Sequence, residues 1–510
     1  MSAAACNAPV TPAPPGAVGR LVFLLVSVLV AGAALGPYLV ASHLPLWTDE
    51  ANFAYVARTA QDASLPLYQA GYQTAPPGTF WLYQVFSAYD QKGIWRLRVA
   101  ESIMLYLVAL LLLWWLGHDV VWYAGVVAAF GFAVLVPLQT LTCALAEPPL
   151  ILCTTVGIWL LWHGLTRRTP AALALAGLAL ATACAFVHVA ALDALAALLF
   201  LLFFSGGSLP ARLRRVLFLL AGLAVGLGAL ALAMLATHQW ADFWGAVVAP
   251  LLSRATLPSW ADRGQACRQL LATPVAWRSP LALALLGVLM PLPPELRRLR
   301  RLLGIWLVLG LIGFLGSGNL ANARVVVFLP ALALCGGLGL YWARTRPLGE
   351  QRLGAPIVVF VATMLWLWPL HLDAALCVAN LNQNYDTTVT YTESVGPWLG
   401  RKLQPMETLY VVGEGTPIYV YAHRRAASRF FDSAEVLGDR QLDLLRSFNH
   451  APPAALVFTP TYLRPEVTLA AAIRGWQGFH AYQQVHPPAP GDYQVYLRGD
   501  IAAAVQAGMR

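Results

Sequence analysis

The chain has 510 residues, of which 59% are hydrophobic and only 11% are charged, and its formal net charge is +9. A soluble domain carries about a quarter charged residues, so the composition excludes an ordinary soluble enzyme and indicates a membrane protein. The positive charge does not indicate a nucleic-acid partner, because the arginines lie in short segments between apolar runs.

The chain begins with a polar leader and then a long apolar run. Residues 1–19, MSAAACNAPVTPAPPGAVG, are rich in Pro and Ala and are predicted to be a disordered cytoplasmic leader. The run at 21–41 is long for the apolar part of a signal peptide, and many apolar runs follow it. It is therefore predicted to be the first membrane-spanning helix.

About eleven apolar runs are long enough to be membrane spans, since a helix needs about 20 residues to cross a bilayer. The runs are 21–41, 102–117, 120–137, 149–163, 171–187, 190–204, 216–236, 280–294, 302–317, 325–343 and 356–370. The chain is therefore predicted to be a polytopic α-helical membrane protein, with its membrane region at residues 20–371.

The arginines predict the orientation of these spans. Loops between successive spans alternate between the two sides of the membrane, and these arginines fall in the loops of one side. They are Arg20, Arg167, Arg168, Arg212, Arg214, Arg215, Arg297, Arg298, Arg300, Arg301, Arg344, Arg346 and Arg352. The positive-inside rule makes that side cytoplasmic. Loops at about 42–98 and 237–279, and the tail at 372–510, are then predicted to lie outside the cytoplasm.

The tail alternates polar and apolar residues between turn residues. Strand-like runs occur in TLYVVGEGTPIYVYA, AALVFTP and DYQVYLR, and helical patterns occur in TESVGPWLGRKL and DRQLDLLRSF. These patterns predict a small extracytoplasmic α/β domain. Within it, VVGEG is interpreted as a strand-to-helix turn rather than as a phosphate-binding loop.

The first outer loop contains two adjacent carboxylates in the stretch LPLWTDEANFAYVARTAQ. Thr48 or Asp49 is predicted to cap a short helix that ends near residue 61 and lies along the membrane surface. On one interpretation, Asp49 and Glu50 are only an N-cap and a charge that suits the helix dipole. A second short helix is predicted in GYQTAPPGTFWLYQVF, with Pro76 and Pro77 in its first turn.

Several of these features together resemble the GT-C glycosyltransferases. They are the acidic pair after the first span, Tyr55 and Arg58 downstream, the PPG element at 76–78, and Arg98 at the start of the second span. The nearest likeness is to the superfamily of dolichyl-phosphate-mannose protein mannosyltransferases and aminoarabinose transferases. It extends to Glu147 in LTCALAEPPLILCTTVGIWLLW and to Arg324 in NARVVVFLPALALCGG.

The resemblance implies a GT-C fold and an inverting sugar transfer from a polyprenyl-phosphate donor to an extracytoplasmic acceptor, which could be a glycan, a lipid or a protein. Asp49 would be the general base, since a carboxylate can take a proton from the acceptor hydroxyl. Glu147 would orient the acceptor or Asp49, and Glu50 would support the loop.

Cationic or hydrogen-bonding groups are needed to cover the leaving lipid phosphate, and the planar fork of arginine suits that oxyanion. The candidate donor contacts are Tyr55, Arg58, Arg98, His188 and Arg324. Each has a structural alternative. Arginines at span ends also reach out to lipid headgroups, Tyr55 could belong to an interfacial aromatic belt, and a lone intramembrane His is often structural.

The remaining expectations concern surroundings and rival functions. The protein is expected in a bacterial inner membrane among lipids, with no nucleic-acid partner, and without a metal because no spacing such as HExxH occurs. A transporter or flippase for a lipid-linked sugar would instead place functional charges at mid-membrane. A glycan polymerase or ligase would use a large late loop, and the segment 237–279, with its several arginines, leaves that alternative open.

Overall fold

The computed structural model describes residues 46–136, 146–250, 278–316, 327–345, 388–413, 415–436, 438–459, 464–487 and 493–508, together with residues 25, 28, 29, 32, 36 and 264. Helices form most of the described chain up to residue 345, and a small sheet with flanking helices follows. The segment after residue 46 is named the outer segment after its predicted location, and it contains α1 (Thr48–Ala63), α2 (Leu67–Ala70) and α3 (Pro77–Phe86).

The helical bundle follows this outer segment. Its helices are α4 (Gln91–Asp119), α5 (Trp122–Leu135), α6 (Glu147–Thr166), α7 (Pro170–Cys184), α8 (Ala190–Phe203), α9 (Leu209–Ala236), α11 (Arg278–Leu289), α12 (Arg297–Gly316) and α13 (Leu329–Thr345). After α9 come the short α10 (Trp240–Phe243) and one π-helical turn at Trp244–Val248.

Three helical stretches of the described chain are long and apolar enough to cross a membrane: Lys92–Asp119, Glu147–Thr166 and Leu209–Ala236. Shorter apolar helices lie at Trp122–Ala133, Pro170–Cys184 and Ala190–Phe203. Every predicted run between residues 102 and 343 overlaps a helix. The predicted spans at 21–41 and 356–370 fall largely or wholly outside the described residues, so the number of spans stays a prediction.

Close approach of backbones explains part of the bundle packing. A side chain at Gly177 would collide with the backbone oxygen of Leu219, and one at Gly222 would collide with that of Ala174. A Cβ at Gly226 would come within 2.5 Å of the Cβ of Ala181. Small residues allow helices to pack closely, and α7 and α9 approach each other through these glycines.

Arginines from separate loops meet at one end of the bundle. Arg168 and Arg298 both lie within electrostatic range of Arg215. Arg301 stacks over Phe204 at 5.5 Å. The opposite end, where α4 and α6 begin, carries the outer segment α1 to α3.

The C-terminal part contains a four-stranded mixed sheet. Its strands are β1 (Leu409–Val412), β2 (Ala455–Phe458), β3 (Tyr482–Val485) and β4 (Gln494–Arg498), in the order β1-β2-β4-β3. β1 and β2 are parallel, whereas β4 is antiparallel to β2 and β3. The flanking helices are α14 (Thr388–Lys402), α15 (Pro417–Ala422), α16 (Asp439–His450), α17 (Arg464–Arg474) and α18 (Gly499–Gln506).

Each of the three strand-like runs of the sequence contains a strand, and the strand that ends in VVGEG is followed by a helix, as predicted. β1 ends before Gly413, which has a positive φ of 96°. The helix α15 starts at Pro417, where the fixed φ of proline favours a first helical turn. The apolar stretch PIYVYA is therefore helical, although its pattern alone is typical of a strand. β3 has no counterpart among the predicted elements.

The outer segment and the C-terminal part share one apolar core. Tyr55 of α1 stacks on Phe431, with ring centroids 4.4 Å apart, and Tyr72 packs on Phe430 at 5.6 Å. On its other side α1 contacts α3 through Phe53 and Phe80, at 5.9 Å. Because protein covers both faces, α1 is an interior helix of this assembly. The division at residue 372 into two domains stays a prediction.

Candidate active site

Helix α1 begins one or two residues earlier than expected. Trp47 is the N-cap, with extended φ and ψ of −75° and 161°. Its backbone N–H donates to Oε2 of Glu50 at 2.9 Å. Glu50, in the third helical position, thus satisfies the start of the helix as the Glu of a capping box does. The prediction that Thr48 or Asp49 caps this helix is wrong.

Glu50 also forms an ion pair that is closed to solvent. Nε of Arg98 donates to Oε1 at 2.9 Å, and Nη2 donates to Oε2 at 2.5 Å. The exposed fraction is 0% for Glu50 and 1% for Arg98. This two-pronged geometry is the strong form of the Arg–carboxylate pair, and it fixes α1 to the start of α4.

Asp49 is in a different environment from its neighbour. It is exposed, whereas Glu50 is buried, because adjacent helical residues differ by about 100° around the axis. Its negative charge sits in the first turn of α1, where the helix dipole favours an anion. Asp49 is therefore the carboxylate of the pair that an external molecule can reach.

A third carboxylate, Asp432, reaches this region from the C-terminal part. Its Oδ2 accepts hydrogen bonds from Nδ2 of Asn52 at 3.0 Å and from Nε2 of Gln73 at 3.2 Å. Burial raises the pKa of Asp432 to about 7, with the negative charges of Glu435 and Asp49 as further causes. Sequence reasoning missed Asp432, because no local pattern joins FFDSAE to Asn52 of α1, which lies 380 residues earlier.

Tyr55 and Arg58 both contact the C-terminal part. The Tyr55 hydroxyl accepts a hydrogen bond from the backbone N–H of Ala426 at 2.9 Å, and burial raises the pKa of this phenol. Arg58 binds Asp62 through Nε at 3.1 Å and the backbone oxygen of Val420 through Nη1 at 3.3 Å. These contacts place both residues where α1 meets the C-terminal part.

The PPG element contacts a break between two bundle helices. The backbone N–H of Gly78 donates to the oxygen of Ala185 at 2.8 Å, and a Cβ there would lie 2.5 Å from that oxygen. Thr79 Oγ1 donates to the oxygen of Phe186 at 3.4 Å. His188 lies in the same break, which separates α7 from α8, and it is partly buried. The structure thus places His188 near the start of α3.

Glu147 is the first residue of α6 and is partly buried. The last turn of α6 bonds to the end of α4, since Nε1 of Trp162 donates to Asp119 at 2.7 Å. α4 and α6 therefore run in the same direction, and Glu147 lies at the end of the bundle that carries Asp49. Arg324 lies outside the described residues, and its role stays a prediction.

Within the ranges that the structure describes, no group of three or more His, Cys, Asp or Glu side chains could hold a metal ion. The expectation that the protein needs no metal is not tested by this observation. Carboxylates at this end of the bundle include those of Asp49, Asp432 and Glu147.

No protein-family model matches the sequence, and no curated protein sequence matches it significantly. Solved structures do share its fold. ArnT from Cupriavidus metallidurans bound to undecaprenyl phosphate gives a TM-score of 0.60 at 15% identity, over 94% of this chain and 98% of that one. The same protein in the apo state gives 0.62 at 14% identity, over 94% and 99%.

The oligosaccharyltransferase AglB from Archaeoglobus fulgidus, in complex with an inhibitory peptide and a dolichol-phosphate, gives a TM-score of 0.52 at 13% identity, over 94% of this chain and 74% of that one. ArnT and AglB both have the GT-C fold. The chain therefore has the GT-C fold, as its resemblance to that superfamily implied.

Proposed function

We propose that the protein is an integral membrane glycosyltransferase that moves a sugar from a polyprenyl-phosphate donor to an acceptor outside the cytoplasm, in a bacterial inner membrane. The observation that carries the proposal is the shared fold, over nearly the whole chain, with a protein solved with undecaprenyl phosphate bound. The acceptor is a glycan, a lipid or a protein. The reaction is assigned to the end of the bundle that carries Asp49 and Glu147.

Asp49 is the proposed general base. It is the exposed member of the acidic pair, so an acceptor hydroxyl can approach it, whereas Glu50 is fully engaged in the interior. Proton removal makes the acceptor oxygen nucleophilic as it attacks the anomeric carbon on the face opposite the phosphate, which inverts that carbon. Glu147, at the same end of the bundle, orients the acceptor or Asp49.

The lipid phosphate is proposed to lie near arginine and histidine side chains at this end. Arg58, Arg98, His188 and Arg324 are the candidates, and Tyr55 is a further donor contact. Arg98 is bound to both oxygens of Glu50. It can bind phosphate only by sharing its N–H groups, of which arginine has five. Its first role is therefore to hold the outer segment in place.

The proposal is tested first by binding. Undecaprenyl phosphate should raise the unfolding temperature of the purified protein in detergent, because a ligand that binds only the folded state stabilises it. Undecaprenol, which lacks the phosphate, is the matched control and should have a much smaller effect. Equal shifts with the two lipids would mean that no phosphate site exists.

Mass spectrometry of cell-envelope glycans and glycolipids, with and without the gene, then tests transfer itself. Loss of one sugar mass from an envelope component identifies donor and acceptor together. If the envelope is the same with and without the gene, and the cells that carry the gene do produce the protein, the result would argue against a transferase.

A transporter or flippase is the second candidate, and one observation favours it. Asp193 of α8 is 1% exposed, and its Oδ1 accepts a hydrogen bond from Nε1 of Trp306 at 2.8 Å. Oδ2 has no hydrogen-bond partner among the described residues. Ionisable side chains inside membrane helices often mark transport pathways. Replacement of Asp193 therefore separates the two candidates.

A further inference from the structure

Asp432 lies where the C-terminal part meets the outer segment of the candidate site. Asn52 and Gln73, which donate to its Oδ2, are 5% and 7% exposed. Its Oδ1 accepts a hydrogen bond from the backbone N–H of Ala434 at 3.1 Å. Three N–H donors from two parts of the chain thus fix one carboxylate in one orientation.

The amide of Asn52 is itself unusual. Its oxygen is buried and has no hydrogen-bond partner among the described residues, whereas its nitrogen is bound to Asp432. Leaving a buried acceptor unpaired costs free energy, so a residue chosen for packing alone would be apolar. The position of Asn52 is explained if orienting Asp432 matters more than satisfying its own oxygen.

The charges around Asp432 come from several elements. Asp49 lies one helical turn before Asn52 on α1, so the hydrogen bond from Asn52 brings Asp432 to the side of the helix that carries Asp49. Glu435 contributes a second negative charge from its own turn. Glu435 is paired with Arg440 of α16, with Nη1 and Oε2 3.5 Å apart. The hydroxyl of Ser433 donates a hydrogen bond to the carboxylate of Glu466 of α17. The charge of Asp432 also contributes to the raised pKa of two buried phenols, Tyr410 of β1 and Tyr419 of α15.

We propose that Asp432 is a positioning residue of the transferase site. It forms a carboxylate pair with Asp49 across the junction between the outer segment and the C-terminal part, and this pair takes the proton of the acceptor. This inference rests on the proposed function for the identity of the reaction. It gives the C-terminal part a role in the chemistry, since without that part Asp49 lacks its partner.

The proposed transfer breaks two bonds and forms two. The O–H bond of the acceptor breaks and its proton passes to the Asp49 carboxylate, while the acceptor oxygen forms a bond to the anomeric carbon. The bond from that carbon to the phosphate oxygen breaks, and its electron pair leaves with the lipid phosphate. A negative charge on Asp432 raises the proton affinity of Asp49, because two neighbouring carboxylates titrate as a coupled pair.

A titration that needs no substrate tests the pair. The pKa of Asp432 in the folded protein, about 7, lies above its value in an unfolded chain. The folded state therefore holds the proton more tightly, and the stabilisation that this gives is present at acidic pH and lost as the pH rises through about 7. The unfolding temperature of the full-length protein in detergent, measured from about pH 4.5 to pH 8.5, should show this loss.

Asp432→Asn should remove that pH-dependent component. Asp49→Asn should move it to lower pH, because the charge that helps to raise the pKa of Asp432 is gone. Asp443→Asn removes an exposed carboxylate of α16 and is the matched control, with the wild-type pH dependence expected. If Asp49→Asn leaves the titration unchanged, the two carboxylates are not a pair and the inference fails.

Measurements of activity then distinguish a positioning role of Asp432 from a purely structural role in holding the C-terminal part against the outer segment. Sugar incorporation in isolated membranes containing native lipid donors should fall in Asp432→Asn, by less than the roughly 10²-fold to 10⁴-fold loss expected for the base itself. The acidic limb of its pH profile should be displaced, and the apparent donor requirement should be unchanged. Asp432→Glu keeps a carboxylate and should recover part of the rate and the pH dependence. An Asp432→Asn variant with the wild-type pH profile would overturn the inference. If the wild type transfers no sugar, the proposed function is refuted, and the titration alone then tests whether Asp49 and Asp432 are paired.

Discussion

The guanidinium of Arg98 holds both carboxylate oxygens of Glu50, 48 residues away in sequence, and the pair is almost completely shielded from solvent. The same Glu50 carboxylate accepts the hydrogen bond that starts α1. One buried carboxylate thus fixes the start of α1, its attachment to α4 and, through the next residue along the helix, the position of Asp49.

Arg98→Ala is predicted to destabilise the protein strongly. Removing one partner of a buried ion pair leaves an unpaired buried charge, which costs about 3–5 kcal/mol. Thermal unfolding in detergent measures the loss, and Glu50→Gln with Arg98→Met should be less unstable than Arg98→Ala alone. If Arg98→Ala unfolds like the wild type and only the donor requirement rises, Arg98 is a phosphate ligand first.

Asp49→Asn is predicted to reduce sugar transfer by about 10²-fold to 10⁴-fold, the usual contribution of a general base. Apart from the shift in pH dependence that its pairing with Asp432 predicts, the unfolding temperature should barely change, since Asp49 is exposed and Trp47 is the N-cap. Glu50→Gln is the comparison, and it should lower stability because it weakens the pair with Arg98. A purified Asp49→Asn variant that transfers sugar at the wild-type rate would refute the assignment of the base.

Asp193→Asn is predicted to leave transfer within about a factor of three, because the amide oxygen can still accept the hydrogen bond of Trp306 and the residue lies in the bundle interior. The measurement is sugar incorporation in membranes that contain equal amounts of the wild-type protein or of the Asp193→Asn variant. A transporter that uses this carboxylate would instead lose its activity. Loss of sugar incorporation to the same degree as in Asp49→Asn would contradict the proposed distribution of roles.

Gly78→Ala is predicted to displace the start of α3 from the helix break at Ala185. The added Cβ would lie 2.5 Å from the Ala185 oxygen, and such overpacking typically costs about 1–3 kcal/mol. Hydrogen exchange should rise around His188, and the unfolding temperature should fall. Gly131→Ala is the control, because a Cβ there meets nothing within 4 Å and alanine favours a helix. Equal behaviour of the two variants would show that the break does not depend on this contact.

The C-terminal part is predicted to lie outside the cytoplasm. Its shared core with the outer segment requires both to be on one side of the membrane, since Tyr55 and Phe431 stack at 4.4 Å. A reporter that is active only outside, fused after Arg510, should be active, and a cytoplasm-only reporter at the same position should be silent. The reverse result would place Asp49 and Asp432 on the cytoplasmic side, where the positive-inside rule puts the arginine-rich loops.

The sequence by itself determined the class of the protein and much of its local structure. Apolar runs predicted helices because a span must satisfy its own backbone hydrogen bonds, and Pro76 and Pro77 predicted the start of α3 because proline suits a first helical turn. The acidic pair and the PPG element, together with Tyr55, Arg58 and Arg98, carried the resemblance to the GT-C superfamily, whose fold the chain has.

Only the tertiary structure decided how these carboxylates differ. Asp49 and Glu50 are adjacent and chemically alike, and the arrival of Arg98 from 48 residues away makes one of them an interior ion pair and leaves the other exposed. Asp432 bonds to Asn52, which lies 380 residues earlier in the chain. No local periodicity in the sequence predicts a contact at that separation. Burial, and with it the pKa of Asp432, arises from packing between distant segments, which is why the sequence alone could not reveal it.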